Sequence, residues 1–419
     1  MPSIMKRFLL PQVSLTDRIS YYHLLLLMVF LPFDLFFTHV IFISYALHTL
    51  LHLKQERLKK ILSWRNALLQ AVFFIVLISV CYSNYQANAW ADITRLLLIL
   101  LFPVFFSLNQ LNISLYRNRL LFVFATTCTI TVAYLYLHAL IIIRHFGLPL
   151  QTIISSLFLN QNFSDPIAMH ATFFSLQVAL AFFYLLSRVF KTPGLKHRVI
   201  YLAAILLLFA GLVQLGSKAV LITTLLALTF AVPFFLLSAP KRFKYIIATM
   251  VLSLIFIGVL SNVDSLKDRY FIGFRSDFSK PVFYESVEPR LTRWDAALEL
   301  VAKKPLTGYG AGSELSILGD QFFIKKLYVS YLNRFNAHNQ YLTFLLITGI
   351  AGLLVYLLTL MAGFKMAITK KDFLLFVFLL LITLVSGSES LLNAEKGVFF
   401  YSLFFSFFVF SPQDKRTEF

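Results

Sequence analysis

Charged residues are scarce in this sequence. Only 13% of its 419 residues are Asp, Glu, Lys or Arg, whereas a soluble globular protein carries about 25%. Hydrophobic residues make up 59% of the chain, against about 45–50% in soluble domains. These proportions exclude an ordinary cytosolic enzyme and a disordered chain, and they predict a polytopic membrane protein.

Several chemistry-bearing motifs are also absent. The two cysteines, Cys81 and Cys128, both lie in apolar stretches, so a disulfide framework is not indicated. The sequence contains no GxxxxGK[ST] phosphate loop, no HExxH or CxxC metal motif, no Asp-x-Asp pair and no GxSxG nucleophile motif. We therefore expect chemistry that uses no metal, no ATP and no other cofactor.

Charge-free stretches long enough to cross a membrane recur along the chain. A transmembrane helix needs roughly 20 apolar residues. Residues 19–53, interrupted at Pro32-Phe33-Asp34, predict two short helices joined by a hairpin. No Ala-x-Ala cleavage site follows this first apolar run, which favours a retained anchor. Further charge-free windows lie at 66–91, 96–116, 120–143, 166–187, 199–217, 219–240, 245–263, 335–364, 373–388 and 397–413. The sequence thus predicts an all-α fold of about 12 transmembrane helices.

The net charge of +18 follows from membrane topology. With twelve spans both termini share one side, and the connections on that side hold 22 of the 37 basic residues but only five of the 19 acidic ones. The opposite side is close to neutral. Because basic loops face the cytoplasm, both termini are predicted to be cytoplasmic, and no nucleic-acid partner is needed to explain the charge.

One connection is far longer than the others. Residues 264–334 form a charged segment on the outer side, and loops of this length in compact proteins are usually functional. We therefore divide the chain into helices 1–9 at 1–263, a loop domain at 264–334, and helices 10–12 with a cytoplasmic tail at 335–419. Within the loop, 290–304 predicts an amphipathic helix.

A few outer-side cations are candidates for binding an anion. Lys218 lies between two apolar stretches, where a lysine that snorkels from a helix end is the simpler interpretation. Arg144 and His170 flank another outer connection and are more often structural. Arg290 and Arg293 open the predicted amphipathic helix. Cations at a helix N-terminus oppose the helix dipole, so for Arg290 an anionic ligand is as good an interpretation as a merely solvated face.

His338 is the strongest single candidate. It lies at the predicted start of the apolar span that follows the outer loop. The first-turn amides of that helix would face the outer surface and could attract an anion. The helix dipole also disfavours an imidazolium there, and a neutral imidazole can accept a proton as a general base.

The order of these residues resembles a known family. The quoted elements are Arg-Leu-Thr-Arg-Trp at 290–294, Lys-Pro-Leu-Thr-Gly-Tyr-Gly at 304–310, His338-Asn339, and then Gly349 and Gly352. The last three form H-N-x9-G-x-x-G. Together they resemble the O-antigen ligase and polymerase family. The close match runs from about 285 to 365, and the span layout extends the resemblance to the whole chain.

The resemblance implies a specific activity. The family transfers a glycan from undecaprenyl pyrophosphate at the periplasmic face of the bacterial inner membrane. By resemblance, Arg290 would contact the pyrophosphate and His338 would act at the acceptor hydroxyl.

The resemblance also suggests further substrate contacts. Lys218 stands where the ligases tend to carry an arginine in an Arg-x3-Leu pattern, so the charge is kept but the bidentate fork is lost. Arg293 and Arg144 are further candidates for the pyrophosphate, and Asn339 and His170 are weaker candidates for substrate contact. The expected partners are the lipid-linked donor, the acceptor and the lipid bilayer.

The identity of the acceptor separates three activities. The acceptor is lipid A-core in a ligase, another undecaprenyl-linked chain in a polymerase, or a protein hydroxyl in an oligosaccharyltransferase. The H-N-x9-G-x-x-G form favours the ligase. From a different class, a lipid-linked oligosaccharide flippase would also have about a dozen spans, but it would not be expected to concentrate charge in one outer domain.

Overall fold

The computed structural model of the protein describes residues 14–33, 35–192, 194–277 and 288–412. Within these ranges the chain is helical and contains no strand. The hairpin residue Asp34, the stretch 278–287 of the outer loop, and the terminal basic residues Lys6, Arg7, Lys415 and Arg416 lie outside the described residues. We number the longer helices in chain order as α1 Leu15–Phe30, α2 Leu35–Leu51, α3 Trp64–Val80, α4 Gln86–Leu108, α5 Ile113–His145, α6 Ala171–Lys191, α7 Leu195–Leu215, α8 Lys218–Leu236, α9 Ala239–Ser261, α10 Arg290–Lys303, α11 Glu314–Ile324, α12 Gln340–Thr369, α13 Phe373–Ser386 and α14 Glu395–Phe410.

The described helices support a multi-pass membrane protein. Seven of them are long and apolar enough to cross a membrane. An eighth span results if Gln55–Leu62 and α3, which meet at 58°, are counted as one. The all-helical membrane fold is therefore confirmed. A helix lies at each of the twelve expected positions, but the count of 12 spans stays a prediction, because four of these helices are short: α1 and α14 have 16 residues each, α2 has 17 and α13 has 14.

One charge-free window in the sequence covers parts of two separate helices. The charge-free window 66–91 corresponds to the end of α3, a turn at residues 81–85 and the first residues of α4. The turn carries no charged side chain. Hydropathy alone therefore could not separate it from the helices on either side, and the boundaries of the next two spans were displaced as a result.

The helices differ widely in how far they are enclosed. In the apolar stretch of α6, 78% of the residues are buried, against 6% in α9. α6 thus lies at the centre of the bundle, and α9 lies at its edge, where lipid would cover it. α14 contributes many of the aromatic rings in the core, including the buried Phe400, Phe404 and Phe408. Because lipid and side chains are equally apolar, such close packing is what holds membrane helices together.

α12 is interrupted at Gly349, and the outer loop forms hydrogen bonds with the backbone groups at the interruption. Gly349 has φ 64° and ψ −161°, a conformation outside the helical region that glycine tolerates. The carbonyls of Leu346 and Ile347 accept hydrogen bonds from the amides of Tyr309 (2.7 Å) and Gly310 (2.9 Å). The Ile350 amide in turn donates to the Pro305 carbonyl at 2.9 Å. Backbone groups freed by the break are thereby paired, and the loop is fixed to the helix.

The glycine-rich stretch 305–312 is fixed on a second side by the α3–α4 turn. The Tyr82 hydroxyl donates to the Thr307 carbonyl at 2.7 Å. The Ser83 hydroxyl donates to the Ala311 carbonyl at 2.6 Å. The close approach leaves no space for a side chain at Gly310, since a Cβ there would lie 2.6 Å from the Cα of Ser83. The outer loop therefore has a fixed position above the bundle.

A substitution at the break should disturb this fixed position. A Cβ at Gly349 would lie 2.2 Å from the Leu306 carbonyl oxygen, and its positive φ adds strain. We expect Gly349→Ala to destabilise the protein by about 1–3 kcal/mol, seen as a lower Tm in detergent. Gly258→Ala is the matched control, because a Cβ there meets no atom within 4 Å. Equal Tm values for the two variants would contradict the proposed role of Gly349 in joining the outer loop to α12.

Candidate active site

Three of the predicted site residues converge around two carboxylates. Lys218 Nζ lies 3.0 Å from Asp277 Oδ2, and Arg290 Nε lies 3.5 Å from Oδ1 of the same carboxylate. Arg290 Nη2 also lies 3.7 Å from Glu389 Oε1, whose other oxygen lies 3.3 Å from His338 Nδ1. We call these five residues the cation–histidine cluster. The structure thus brings together side chains from α8, the short helical segment Gly273–Asp277, α10, and the segments that precede α12 and follow α13.

Arg290 is held in place without using most of its donors. It is the first residue of α10, and the preceding Pro289 makes no side-chain cap. Its Nη1 donates a hydrogen bond of 2.7 Å to the Ser388 carbonyl. The contacts with Asp277 and Glu389, at 3.5 and 3.7 Å, are ion pairs and lie beyond good hydrogen-bond length. A guanidinium carries five N–H donors, so this side chain retains capacity for an anionic ligand.

The position of Lys218 follows from a two-residue turn. Gly216 ends α7 with φ 61°, Ser217 precedes α8, and Lys218 is the first residue of α8. The Gly216 carbonyl accepts a hydrogen bond of 3.0 Å from Arg269 Nε. A Cβ at Gly216 would lie 3.1 Å from that nitrogen. Glycine therefore permits both the tight turn and the approach of a second arginine.

Arg269 is a cation that the sequence reasoning did not single out. It lies in the short helical segment Asp268–Ile272 at the start of the outer loop. Burial lowers the pKa of Arg269, and the nearby charge of Arg290 lowers it further while Asp277 and Glu389 oppose both effects. It belongs to no motif, so its nearness to Arg290 could be found only from the fold.

His338 precedes α12 in a constrained backbone. Its φ is 45°, a left-handed conformation that is uncommon for a residue with a Cβ. α12 begins at Gln340, and Asn339 caps it, with its side-chain oxygen accepting from the amides of Tyr341 (3.0 Å) and Leu342 (3.2 Å). The expectation that free first-turn amides attract an anion is therefore wrong for these two groups, because the neighbouring side chain already satisfies them.

Glu389 is ionised beside His338. Burial alone would raise the pKa of Glu389, but the hydrogen bond with His338 and the charge of Arg290 outweigh it and hold the pKa below its usual range. A carboxylate at the Nδ1 side of an imidazole stabilises the tautomer with a proton on Nδ1. Nε2 of His338 is then left to accept a proton from another group.

The Arg-x-x-x-Trp motif explains how α10 supports this site. Arg290 enters the cation–histidine cluster, and one turn later Trp294 donates from Nε1 to the Ala337 carbonyl at 2.8 Å. Arg293 is buried and lies over the Phe335 ring, with its guanidinium carbon 5.0 Å from the ring centroid. Burial lowers the pKa of Arg293 to about 10, helped by the charge of Arg290. α10 thus holds the residues immediately before His338.

The remaining predicted residues differ in how near they lie to the cluster. His170 caps α6, accepting from the Thr172 amide at 3.3 Å. Burial lowers the pKa of His170, the charge of Glu389 raises it, and His338 lowers it again, so these groups share one region. Arg144 is exposed in the last turn of α5. No hydrogen bond or ion pair joins it to the cluster in the described part of the chain, and its role stays a prediction.

The ionisation of Glu389 gives a pH-dependent contribution to stability. An unfolded glutamate has a pKa of about 4.3, and the native value is lower. Ionised Glu389 therefore stabilises the fold at neutral pH, and this contribution is lost as the pH falls through the native pKa. We expect Glu389→Gln to have a lower Tm than wild type at pH 7, with the difference closing below about pH 4.

A matched substitution controls for the loss of any acidic residue. Glu395 is 56% exposed and pairs with His39 at 3.2 Å, away from the cluster. An exposed pair contributes little, so Glu395→Gln should leave the Tm nearly unchanged. A difference between Glu389→Gln and wild type that persists at acidic pH would contradict the assigned ionisation.

Comparison with known proteins gives one family match, over part of the chain. No curated protein matches the chain. A family model described as O-antigen ligase matches residues 202–357, a stretch that contains Lys218, Arg290 and His338. Together with the membrane helices, this match supports a membrane enzyme related to the glycan transferases. The resemblance predicted from the sequence is thereby confirmed, and residues 202–357 carry an O-antigen ligase family domain.

Proposed function

We propose that the protein is an O-antigen ligase. It would transfer a glycan from undecaprenyl pyrophosphate to a hydroxyl of lipid A-core, without metal or ATP. The observation that carries the proposal is the convergence of Lys218, Arg290 and His338 around Glu389 and Asp277, all within or beside the matched family domain. Cations suit a pyrophosphate, and a histidine held by a carboxylate suits the activation of a hydroxyl.

The cations stabilise the leaving group. As the bond between the anomeric carbon and the pyrophosphate oxygen breaks, negative charge grows on the pyrophosphate. Arg290 can present parallel N–H donors to two phosphate oxygens, and Lys218 supplies a point charge. Without a ligand, Asp277 and Glu389 balance these cations. The entering pyrophosphate would replace contacts that are already long in the case of Arg290.

His338 activates the acceptor. The acceptor oxygen forms a bond with the anomeric carbon while its proton passes to Nε2 of His338, and undecaprenyl pyrophosphate departs with the electron pair of the broken bond. Glu389 holds the Nδ1 proton and stabilises the imidazolium that forms. A single displacement of this kind inverts the anomeric carbon.

The charge distribution supports a location at the bacterial inner membrane. The cluster is built from the starts of α8 and α12, the end of α13 and the outer loop, whereas the basic connections lie at the other helix ends. By the positive-inside rule, the termini are cytoplasmic and the cluster is periplasmic. The lipid-linked donor and lipid A-core would then both reach it from the outer leaflet.

Substitutions in the cluster test the division of labour. We expect Arg290→Ala to lower glycan transfer by about 10²–10³ and His338→Ala by about 10²–10⁴, while donor binding survives only in the His338 variant. Lys218→Arg should remain active, because it keeps the charge and restores the fork. The measurement is transfer from a lipid-linked donor to rough lipopolysaccharide by purified protein in nanodiscs, with EDTA present and no nucleotide.

The same assay contains its controls. Glu395→Gln lies outside the cluster and should transfer at the wild-type rate. Near-normal turnover by His338→Ala would refute the general base, and activity that depends on added Mg²⁺ would refute the metal-free site. Extension of a lipid-linked chain in place of transfer to lipopolysaccharide would indicate a polymerase.

Impermeant maleimide labelling tests the orientation. The native Cys81 is exposed, so the background carries Cys81→Ser. Lys303→Cys, at the end of α10, should label in cells with a permeable outer membrane, since 264–334 would be periplasmic. Lys196→Cys, at the start of α7, should label only after the inner membrane is lysed. The reverse pattern would overturn the proposed orientation.

A further inference from the structure

A polar cavity lies next to the backbone of His338, to which its lining residue Asn336 is hydrogen-bonded. Its volume is about 750 Å³, within the range of about 300–1,000 Å³ typical of small-molecule sites. α4 forms one wall, α11 and the residues after it form another, and Asn336 and Asn393 complete it. We call it the α4–α11 pocket. None of the residues described so far as binding the donor lines it.

The lining chemistry of the pocket differs from that of the cluster. Acidic and basic side chains are mixed, and Asp92 and Arg95 already neutralise each other at 3.1 Å. The amide side chain of Asn88 and the carboxylate of Asp320 line the pocket, and no hydrogen bond or ion pair of theirs occurs in the described part of the chain. Tyr331 adds a ring that is 40% exposed.

This lining suits a neutral polyol. Amides and carboxylates offer donors and acceptors to vicinal hydroxyl groups, and a partly exposed tyrosine presents both an apolar face and a hydroxyl. A phosphate group would meet three acidic side chains, Asp92, Glu314 and Asp320, against two arginines, Arg95 and Arg334, of which Arg95 is already paired with Asp92. Carbohydrate therefore fits this pocket better than the pyrophosphate does.

Glu314 connects the pocket to the catalytic segment. Its side chain is buried, and Oε1 accepts from the Ala337 amide (3.1 Å) and the Thr343 hydroxyl (3.0 Å), while Oε2 accepts from Asn393 Nδ2 (2.7 Å). Asn336, another lining residue, accepts the His338 amide at 2.9 Å through its side-chain oxygen. The pocket thus ends at the backbone that carries His338.

We propose that the α4–α11 pocket binds the carbohydrate of the acceptor and delivers its hydroxyl to His338. This inference rests on the proposed function. The donor's pyrophosphate would lie among side chains from α8, α10 and the segment 268–277, whereas the pocket is built on α4 and α11. The two sites share only the segments around His338 and Glu389, which is where two substrates must meet for transfer.

A glycine in the pocket wall offers a direct test. Gly319 lines the pocket within α11, and a Cβ there meets no atom within 4 Å. Gly319→Trp should therefore fill the pocket without displacing the backbone. Gly258→Trp is the matched control, because Gly258 has the same free space and lies on the exposed α9.

Steady-state kinetics in nanodiscs, with rough lipopolysaccharide as acceptor, measure the effect. We expect Gly319→Trp to raise the acceptor KM at least about tenfold, equivalent to about 1.4 kcal/mol, with the donor KM unchanged. Gly258→Trp should match wild type. An unchanged acceptor KM would overturn the proposal, and a raised donor KM would assign the pocket to the donor glycan instead.

A binding measurement separates this inference from the proposed function. Delipidated core oligosaccharide should give a saturation-transfer NMR signal with wild type and with Gly258→Trp, but not with Gly319→Trp. Such binding by a wild-type protein that transfers no glycan would refute the ligase and leave the pocket assignment standing. Absence of the signal with an active wild-type protein would refute the pocket alone.

Discussion

The candidate site depends on two carboxylates that hold like charges together. Lys218, Arg269 and Arg290 come from different parts of the chain and repel one another. Asp277 pairs with Lys218 and Arg290, and Glu389 pairs with Arg290 and His338. Without these carboxylates, partly buried cations would have no counter-charge, which is strongly destabilising. Because the contacts of Arg290 with these carboxylates are long, a pyrophosphate could replace them.

Backbone pairing gives this network a rigid support. The interruption of α12 at Gly349 frees carbonyls that accept hydrogen bonds from the 305–310 stretch, and the α3–α4 turn holds that stretch from the other side. Ala337 is hydrogen-bonded on both of its backbone groups: its carbonyl accepts from Trp294, and its amide donates to Glu314. His338 therefore follows a residue that cannot move independently, which suits a base that must meet its substrate in one geometry.

Hydropathy and the order of motifs in the sequence predicted most of the helices and part of the candidate site. Charge-free windows located the helices, because a membrane span must be apolar, but they failed at the uncharged turn 81–85. The motif residues Arg290 and His338 were found because they stand at element boundaries. Asp277, Glu389 and Arg269 were not assigned to the site, since their contacts join residues far apart in the chain: His338 and Glu389 are 51 positions apart. The Asn339 cap escaped prediction because a side chain that binds a ligand and one that caps its own helix look alike in a sequence.

The most direct test of pyrophosphate binding by the cation–histidine cluster is a cryo-electron microscopy structure of the protein in nanodiscs with undecaprenyl pyrophosphate. Phosphate oxygens should lie within about 3 Å of the Arg290 guanidinium and the Lys218 amine. The contacts of Arg290 with Asp277 and Glu389 should lengthen, while Glu389 stays on Nδ1 of His338. Pyrophosphate density elsewhere, with the Arg290 ion pairs intact, would contradict pyrophosphate binding by the cluster.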